Sequence, residues 1–149
     1  MKPMCTIFSD ASHSIERQSA GWAVWMKCGG QKWTGYAPFK EFPKDCLTAE
    51  LYAAINGVCA ATRLFAPSRI HLVSDCKYVL QRLGGEHPVR EWEDGAFAIY
   101  GTATEGLRVT LKHVKAHTSL NRKGVQPRTF VNAWCDEHAK KAMRNGERG

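Results

Sequence analysis

The sequence predicts a mixed α/β domain, chiefly because the spacing of its apolar residues changes along the chain. Roughly the first 40 residues hold short apolar runs separated by turn residues, as strands do. A long segment with helical spacing follows, and strands then alternate with helices, which implies parallel strands joined by right-handed crossovers. The 149 residues are expected to form a single domain over residues 1–149, because that length can bury a sufficient core.

Three antiparallel strands are expected at the start of the chain. The first covers residues 4–10, and residues 21–27 and 31–37 follow it. The last two are separated by Cys28, Gly29 and Gly30, and a pair of glycines supplies the positive φ that a tight hairpin turn needs.

The helical segment covers residues 46–65, and its apolar positions are Leu47, Leu51, Ile55 and Val58. Asp45 is expected to cap its start, and Ala66 with Pro67 to end it. An adjacent stripe of small residues, headed by an acid, consists of Glu50, Ala54, Gly57 and Ala61. Because small residues let a helix lie close to a sheet, Glu50 is expected near the edge of the sheet.

The second half of the chain alternates strands with helices. The expected strands are residues 69–75 and 107–117, and the expected helices are residues 76–85, 92–100 and 130–143. The last helix is expected to bury Val131, Trp134, Cys135, His138 and Ala142. Between the last strand and the last helix, residues 118–128 are expected to form a polar, basic loop.

The composition is that of an ordinary globular protein, with 44% hydrophobic and 23% charged residues. No apolar run approaches the roughly 20 residues that span a membrane. The N-terminal segment is too short and too mixed for a signal peptide. We therefore expect a cytoplasmic protein that does not bind membranes, and we expect it to be a monomer.

The six cysteines are not expected to form a disulfide framework. Cys5, Cys59 and Cys135 lie in apolar periodic segments, where a free cysteine acts as a small buried hydrophobe. No Cys-x-x-Cys pair is present, which argues against a structural zinc site. Cys135 and His138 could share a face of the last helix as metal ligands, but core packing is the favoured interpretation.

The net charge of +7 favours a polyanionic partner, and the distribution of charge strengthens that inference. Residues 107–130 hold no acid and six basic side chains, which are Arg108, Lys112, Lys115, Arg122, Lys123 and Arg128. Residues 84–106, by contrast, hold five acids and one arginine. Positive charge is therefore concentrated in one segment, which makes nucleic acid a candidate partner.

Four acidic residues fall where a catalytic or metal site could form. Asp10 and Asp75 end two predicted strands, whereas Glu50 and Asp136 flank the apolar faces of two predicted helices. Sites in open α/β sheets form at the carboxyl ends of strands, so the two aspartates would be neighbours if their strands pair in parallel. Carboxylates gathered there repel one another, and Mg²⁺, which prefers oxygen ligands, relieves that repulsion. Taken singly, each acid is more simply a turn residue, a cap or a solvated side chain.

Five short blocks resemble the type 1 ribonuclease H family in their order and approximate spacing. They are FSDAS (8–12), TAELYAAINGV (48–58), VSDCKYV (73–79), VKAH (114–117) and VNAWCDEHAKKA (131–142). The resemblance implies a ribonuclease H-like five-stranded mixed sheet, in which three antiparallel strands precede the parallel ones, the first strand is central and helices flank both faces. By the same resemblance, the residues that match the family's metal-binding acids are Asp10, Glu50, Asp75 and Asp136. His117 matches its loop histidine.

The function implied by the resemblance is metal-dependent endonucleolytic hydrolysis of the RNA strand of RNA/DNA hybrids, leaving 5′-phosphate and 3′-hydroxyl ends. The implied cofactors are two Mg²⁺ ions roughly 4 Å apart, with Mn²⁺ as a substitute. Asp10 would bridge both ions. Asp136 would hold the ion at the attacking water, and Glu50 with Asp75 would hold the ion at the departing 3′ oxygen. His117 would relay protons or assist product release.

Substrate contacts are expected from polar and basic residues near these acids and from the basic loop. The expected contacts are Ser12, Lys77, Asn132, Arg122, Lys123 and Arg128. At positions where the family commonly has asparagine or glutamine, this chain has Glu16, Cys46, Leu47 and Lys77. Some family members carry a basic helical handle between the short helix and the last strand, whereas residues 84–106 are net acidic here. The hypothesis is therefore that Arg122, Lys123 and Arg128 of the long basic loop grip the substrate, and the alternative is that this loop is a disordered, solvated segment.

Two other functions fit the same sequence. One is a different ribonuclease H-like nuclease that acts on DNA or structured nucleic acid, as resolvases and integrases do. The order Asp-Glu-Asp-His-Asp and the compact length favour ribonuclease H over that alternative. The other is a non-catalytic nucleic-acid-binding module, and the presence of all four acids and the histidine argues against it.

Overall fold

A computed structural model describes residues 2–115 and 127–146. Within these ranges the chain forms five strands, which are β1 (Met4–Ser14), β2 (Ser19–Cys28), β3 (Gln31–Pro38), β4 (Arg69–Ser74) and β5 (Arg108–His113). Its helices there are α1 (Cys46–Phe65), α2 (Lys77–Leu83), α3 (Asp94–Ala103) and α4 (Pro127–Asn145), with a 3-10 turn at Glu91–Glu93. No helix in these ranges combines the length and the hydrophobicity needed to cross a bilayer.

The strands form one sheet in the order β3-β2-β1-β4-β5, so β1 is central. β2 pairs antiparallel with β1 and β3, whereas β4 pairs parallel with β1 and β5. Successive strand residues point to opposite faces. α1 packs on the face that holds Ile7 and Leu72, and α4 packs on the face that holds Phe8 and Val73. The predicted mixed sheet with helices on both faces is confirmed.

The first strand is longer than the sequence predicts. The prediction ends it at Asp10, but β1 continues to Ser14 because β2 pairs with it over that whole length. Its parallel pairing with β4, by contrast, stops at Phe8 and Val73. Asp10 therefore lies inside a strand, two residues beyond the point where the neighbouring strand β4 stops pairing with it.

Helix α1 begins and ends as the sequence predicts. The Oδ1 atom of Asp45 accepts a hydrogen bond of 2.8 Å from the N–H of Thr48, which caps the start. Ala66 ends the helix in the left-handed region, with a φ of 43°. A Cβ on Gly57 would lie 2.8 Å from Cγ2 of Ile7, so the absence of a side chain lets α1 approach the sheet closely. This close approach carries Glu50 to the sheet.

Other boundaries differ from the predictions by a few residues. Strand β5 ends at His113, four residues before the predicted end. In the described residues α4 starts at Pro127, so residues 127 and 128 of the predicted loop belong to a helix, and proline suits a first turn because its φ is fixed. The helix predicted for residues 92–100 is a 3-10 turn followed by α3. Of the α4 side chains predicted to be buried, Cys135 and Ala142 are buried and the rest are half-buried.

The prediction that the cysteines stay unpaired is wrong for Cys5 and Cys28. They face each other in the β1–β2 register and are joined by a disulfide, with their Cα atoms 4.2 Å apart. Cysteine spacing does not reveal this contact, because it depends on the register between two strands. A crosslink over 23 residues is worth about 3 kcal/mol by loop entropy.

We expect Gly21→Ala to destabilise the protein by about 1–3 kcal/mol. A Cβ at Gly21 would overlap the backbone nitrogen of Met143 and lie 2.6 Å from the carbonyl oxygen of Ala139, so α4 would have to move away from β2. The measurement is the thermal unfolding midpoint. Gly95→Ala is the control, because a Cβ there meets nothing within 4 Å and alanine favours helix α3. Equal midpoints for wild type and Gly21→Ala would contradict this close packing.

Candidate active site

Three of the four predicted acids meet at one point. Asp10 comes from β1, Glu50 from near the start of α1, and Asp75 directly follows β4. Each offers a carboxylate oxygen, and these oxygens all lie within 4.8 Å of one another. The parallel register explains why the aspartates meet, because each lies two residues beyond the Phe8–Val73 pair. We refer to Asp10, Glu50 and Asp75 as the acidic cluster.

Asp10 is the buried member of the acidic cluster, Glu50 and Asp75 are half-buried, and two of the cluster's oxygens lack hydrogen-bond partners among the described residues. Asp10 is 3% exposed, and its Oδ1 accepts a hydrogen bond of 2.9 Å from the N–H of Ala11. Asp10 Oδ2 and Glu50 Oε2 are buried without a hydrogen-bond partner in the described part of the chain. A buried carboxylate oxygen without a partner is costly, and a hard divalent cation supplies one. The all-carboxylate donor set therefore fits such a cation.

Burial and mutual repulsion raise the pKa values of two acids in the cluster. Burial, followed by the charge of Asp75, raises the pKa of Asp10 from 3.8 to about 7. Burial, followed by the charge of Asp10, raises the pKa of Glu50 well above its ordinary range. Hydrogen bonding between these two carboxyl groups lowers the pKa of Asp10 and raises that of Glu50. Without a cation, burial and mutual repulsion therefore disfavour the ionised forms of both carboxyl groups.

The fourth acid, Asp136, lies at the margin of the cluster. Its negative charge is near enough to contribute to the raised pKa of Asp10. Its own carboxylate forms an ion pair with Lys140, with Nζ 3.1 Å from Oδ2, and the Asp136 side chain is 34% exposed. Pairs this exposed contribute about 0–1 kcal/mol. The ion pair is therefore a weak obstacle to a cation that would recruit Asp136.

The polar residues predicted to contact substrate have different surroundings. Ser12 directs its hydroxyl at the sulfur of Met143, 3.2 Å away. Lys77 is exposed at the start of α2. Asn132 lies one turn before Asp136 on α4 and is 6% exposed, and its Oδ1 has no hydrogen-bond partner among the described residues. Asn132 therefore offers a buried acceptor that a bound group could satisfy.

The remaining predicted site residues lie in residues 107–130, the part of the chain that holds six basic side chains and no acid, which we call the basic segment. His117, Arg122 and Lys123 lie outside the described residues. Arg128 lies in the first turn of α4, where the backbone is described.

The alternative metal site on α4 does not assemble. Cys135 is buried and directs its thiol at the carbonyl oxygen of Phe8, 3.6 Å away. The His138 ring instead stacks on Trp134, with ring centroids 3.9 Å apart. Within residues 2–115 and 127–146, the acidic cluster is the one place where three or more possible metal ligands come together. The interpretation of Cys135 as a packing residue is confirmed.

Sequence reasoning missed two residues near the cluster. His113 ends β5, and its Nε2–H donates to the main-chain carbonyl of Asp75 at 3.1 Å. Glu93 is a fully buried carboxylate that accepts a hydrogen bond from Thr48 in the first turn of α1. The partners are separated by 38 and 45 residues along the chain, so no local pattern reveals either contact.

The sequence profile of the RNase H family matches residues 2–144, which is nearly the whole chain. The chain belongs to the RNase H family. A search among curated protein sequences gives no significant match.

Solved RNase H structures share this fold over nearly their full lengths. The N-terminal RNase H domain of Rv2228c from Mycobacterium tuberculosis has a TM-score of 0.73 at 15% identity, covering 97% of this chain and 96% of that chain. RNase H1 from Halobacterium salinarum NRC-1 has a TM-score of 0.73 at 17% identity, covering 95% and 98%. LC11-RNase H1, isolated from compost by a metagenomic approach and solved with an RNA/DNA hybrid, has a TM-score of 0.72 at 15% identity, covering 95% and 97%. At these identities the likeness establishes the RNase H fold.

We expect Asp10 to contribute less to the stability of the metal-free RNase H domain as the pH rises from about 4 to about 8. The pKa of Asp10 is about 7 in the folded state against an ordinary 3.8, so in that interval the folded state binds more protons than the unfolded state. The stabilisation is fully present below the unfolded pKa and is lost as the pH passes through the folded pKa. The measurement is the unfolding midpoint in a chelator as a function of pH.

Asp10→Asn should remove the contribution of Asp10 to this pH dependence, because the amide does not ionise, whereas burial still raises the pKa of Glu50. Asp94→Asn, which neutralises an exposed aspartate at the start of α3, is the control and should keep the wild-type profile. Identical profiles for wild type and Asp10→Asn would show that Asp10 does not titrate in this interval.

Proposed function

We propose that this RNase H domain is a metal-dependent endoribonuclease that hydrolyses the RNA strand of RNA/DNA hybrids and leaves 5′-phosphate and 3′-hydroxyl ends. The observation that carries the proposal is the acidic cluster, whose carboxylate oxygens lie within 4.8 Å of one another and include two that are buried without partners. Membership of the RNase H family supports the class of reaction. The hybrid bound to the similar LC11-RNase H1 supports the class of substrate.

The acids would hold two divalent cations, which we propose to be Mg²⁺ with Mn²⁺ as a substitute. Asp10, Glu50 and Asp75 would hold one, and Asp10 with Asp136 would hold the other. When bound, such cations lower the pKa of the attacking water and stabilise the charge that develops on the departing 3′ oxygen. We assign Asp10 to both sets because Glu50, Asp75 and Asp136 all affect its pKa.

The protein's own contribution is to orient groups and to handle protons. β2 pairs with β1 on both sides of Asp10, so the main chain at this acid is held by ladder hydrogen bonds. Asp10 would have to be ionised to hold a cation, so cation binding near or below its raised pKa would release a proton. His117 would relay protons or assist product release, because an imidazole changes charge near neutral pH. Ser12, Asn132 and Lys77 would contact the substrate around these acids. We take the enzyme to act as a cytoplasmic monomer.

We expect Mg²⁺-dependent cleavage of an RNA/DNA duplex and not of RNA/RNA or DNA/DNA duplexes of the same sequence. The measurement is the cleavage rate of end-labelled duplexes, with the new end groups identified enzymatically. Asp10→Asn should lower the rate by about 100-fold or more, because it removes a charge that both cation sites use.

Glu137→Gln is the matched control for this variant. It removes one charge from an exposed position next to Asp136 on α4, and it should cleave at the wild-type rate. Near-normal cleavage by Asp10→Asn would contradict the two-cation assignment. Cleavage of DNA/DNA would indicate a different RNase H-like nuclease, and binding without cleavage would indicate a non-catalytic module.

The basic segment is proposed to grip the substrate, so reversing its charges should raise KM for the hybrid. The variant replaces Arg122, Lys123 and Arg128 by glutamate. Each lost phosphate contact should also reduce the slope of log affinity against log salt by about 1. The measurements are KM and binding at several salt concentrations.

A second triple reversal, at Lys2, Arg63 and Arg69, is the control because it changes the net charge equally. These residues are exposed, and the two arginines lie at the end of α1 and the start of β4, opposite the acidic cluster. Equal effects of the two triple variants would show that net charge alone governs binding and that the basic segment makes no specific contact.

A further inference from the structure

We propose that Glu93 is a positioning residue that holds Glu50 and Asp75 in the arrangement that binds cations, an inference that rests on the function proposed above. Glu93 ends the 3-10 turn Glu91–Glu93 and is fully buried. It lies outside the acidic cluster, so it acts through the elements that carry these acids.

Both oxygens of the Glu93 carboxylate have partners. Oε1 accepts a close hydrogen bond from Nη2 of Arg82, whose side chain is 2% exposed. Oε2 accepts a hydrogen bond of 2.8 Å from the hydroxyl of Thr48 and one of 3.1 Å from Nη2 of Arg90. Because an uncompensated charge in the interior is strongly unfavourable, these partners fix the position of the carboxylate and are fixed by it.

Two of these partners belong to elements that carry the acidic cluster. Thr48 lies in the first turn of α1, two residues before Glu50. Arg82 lies in the last turn of α2, and that helix begins two residues after Asp75. Glu93 therefore joins the start of α1 to α2, the two segments adjoining the contact between Glu50 and Asp75.

The residues around Glu93 strengthen its hold on the start of α1. Arg90 donates a hydrogen bond of 2.7 Å to Oδ2 of Asp45, the cap of that helix. The indole N–H of Trp92 donates to the hydroxyl of Thr48 at 3.1 Å. Arg90, Trp92 and Glu93 therefore all form hydrogen bonds with the cap or the first turn of α1.

A positioning role is needed because the ionised acids repel one another. Apolar packing along the sheet holds the body of α1, whose buried residues include Leu51, Ile55 and Val58. Packing of this kind is non-directional and resists rotation of the first turn less than directed hydrogen bonds do. Without Glu93, the start of α1 could turn so that Glu50 moves away from Asp75. The affinity for cations would then fall while the fold persists.

The test measures cation affinity without nucleic acid, as the Kd for Mn²⁺ fitted to the rise of the unfolding midpoint with Mn²⁺ concentration. The main variant is Arg82→Met with Glu93→Leu, because apolar side chains of similar size can replace a buried ion pair without loss of stability. Glu93→Gln is the second variant, since it keeps the size and one acceptor oxygen but replaces the other oxygen by a donor group and removes the charge. Glu91→Gln, at an exposed acid of the same 3-10 turn, is the control.

We expect the Kd for Mn²⁺ to be unchanged in Glu91→Gln and about tenfold higher in the double variant, even though its metal-free midpoint stays close to the wild-type value. Glu93→Gln should fall between them. If the double variant proves unstable, Glu93→Gln decides the question. Two results would overturn the proposal. One is wild-type cation affinity in the double variant, and the other is wild-type cation affinity in Glu93→Gln together with a lowered metal-free midpoint. In either case Glu93 would only stabilise the fold.

Cleavage of the RNA/DNA hybrid is measured separately, so the two proposals can fail independently. A wild-type protein that binds Mn²⁺ but does not cleave would overturn the proposed function and leave the positioning role to the affinity measurements. A wild-type protein whose midpoint does not respond to Mn²⁺ would overturn both.

Discussion

Repulsion among three carboxylates is the constraint on which the rest of this structure depends. Two unit charges about 4 Å apart repel by about 4 kcal/mol at the effective dielectric constant typical near a protein surface. The acidic cluster brings three carboxylate oxygens within 4.8 Å, and Asp10 is almost fully buried. The chain must therefore hold these acids together by contacts elsewhere, and it draws them from three separate elements.

Those contacts place the acids through main-chain geometry. The parallel register of β1 and β4 sets Asp10 level with Asp75. The close approach of α1 to the sheet at Gly57 carries Glu50 to the same edge. On the opposite face, α4 packs against Gly21 and brings Asp136 to the margin of the cluster. Each acid is therefore positioned by an element that is anchored in the core some distance away.

Local sequence patterns predicted the elements well, because caps, turns and periodicity depend on residues close together in the chain. Such patterns predicted the Asp45 cap and the hairpin at Gly29 and Gly30. They also predicted that Glu50, which heads the stripe of small residues on α1, lies near the edge of the sheet. The order of the strands came from the family resemblance of five blocks, not from spacing alone.

Contacts between distant segments could not be predicted in the same way. The disulfide between Cys5 and Cys28 depends on strand register, and the extension of β1 past Asp10 depends on the length of its partner β2. Glu93 lies in an acidic stretch that reads as solvated surface, and its burial follows from Arg82 and Thr48 reaching it from two other helices.

The raised pKa of Asp10 makes cation uptake an exchange reaction. Below a pH of about 7 a cation that occupies the cluster must displace a proton from Asp10, so occupancy follows the ratio of cation to proton activity. When one proton is released per cation, a fall of one pH unit requires about tenfold more cation for the same occupancy. Acidification and cation depletion are then equivalent perturbations of the same site, and the cluster responds to their combination.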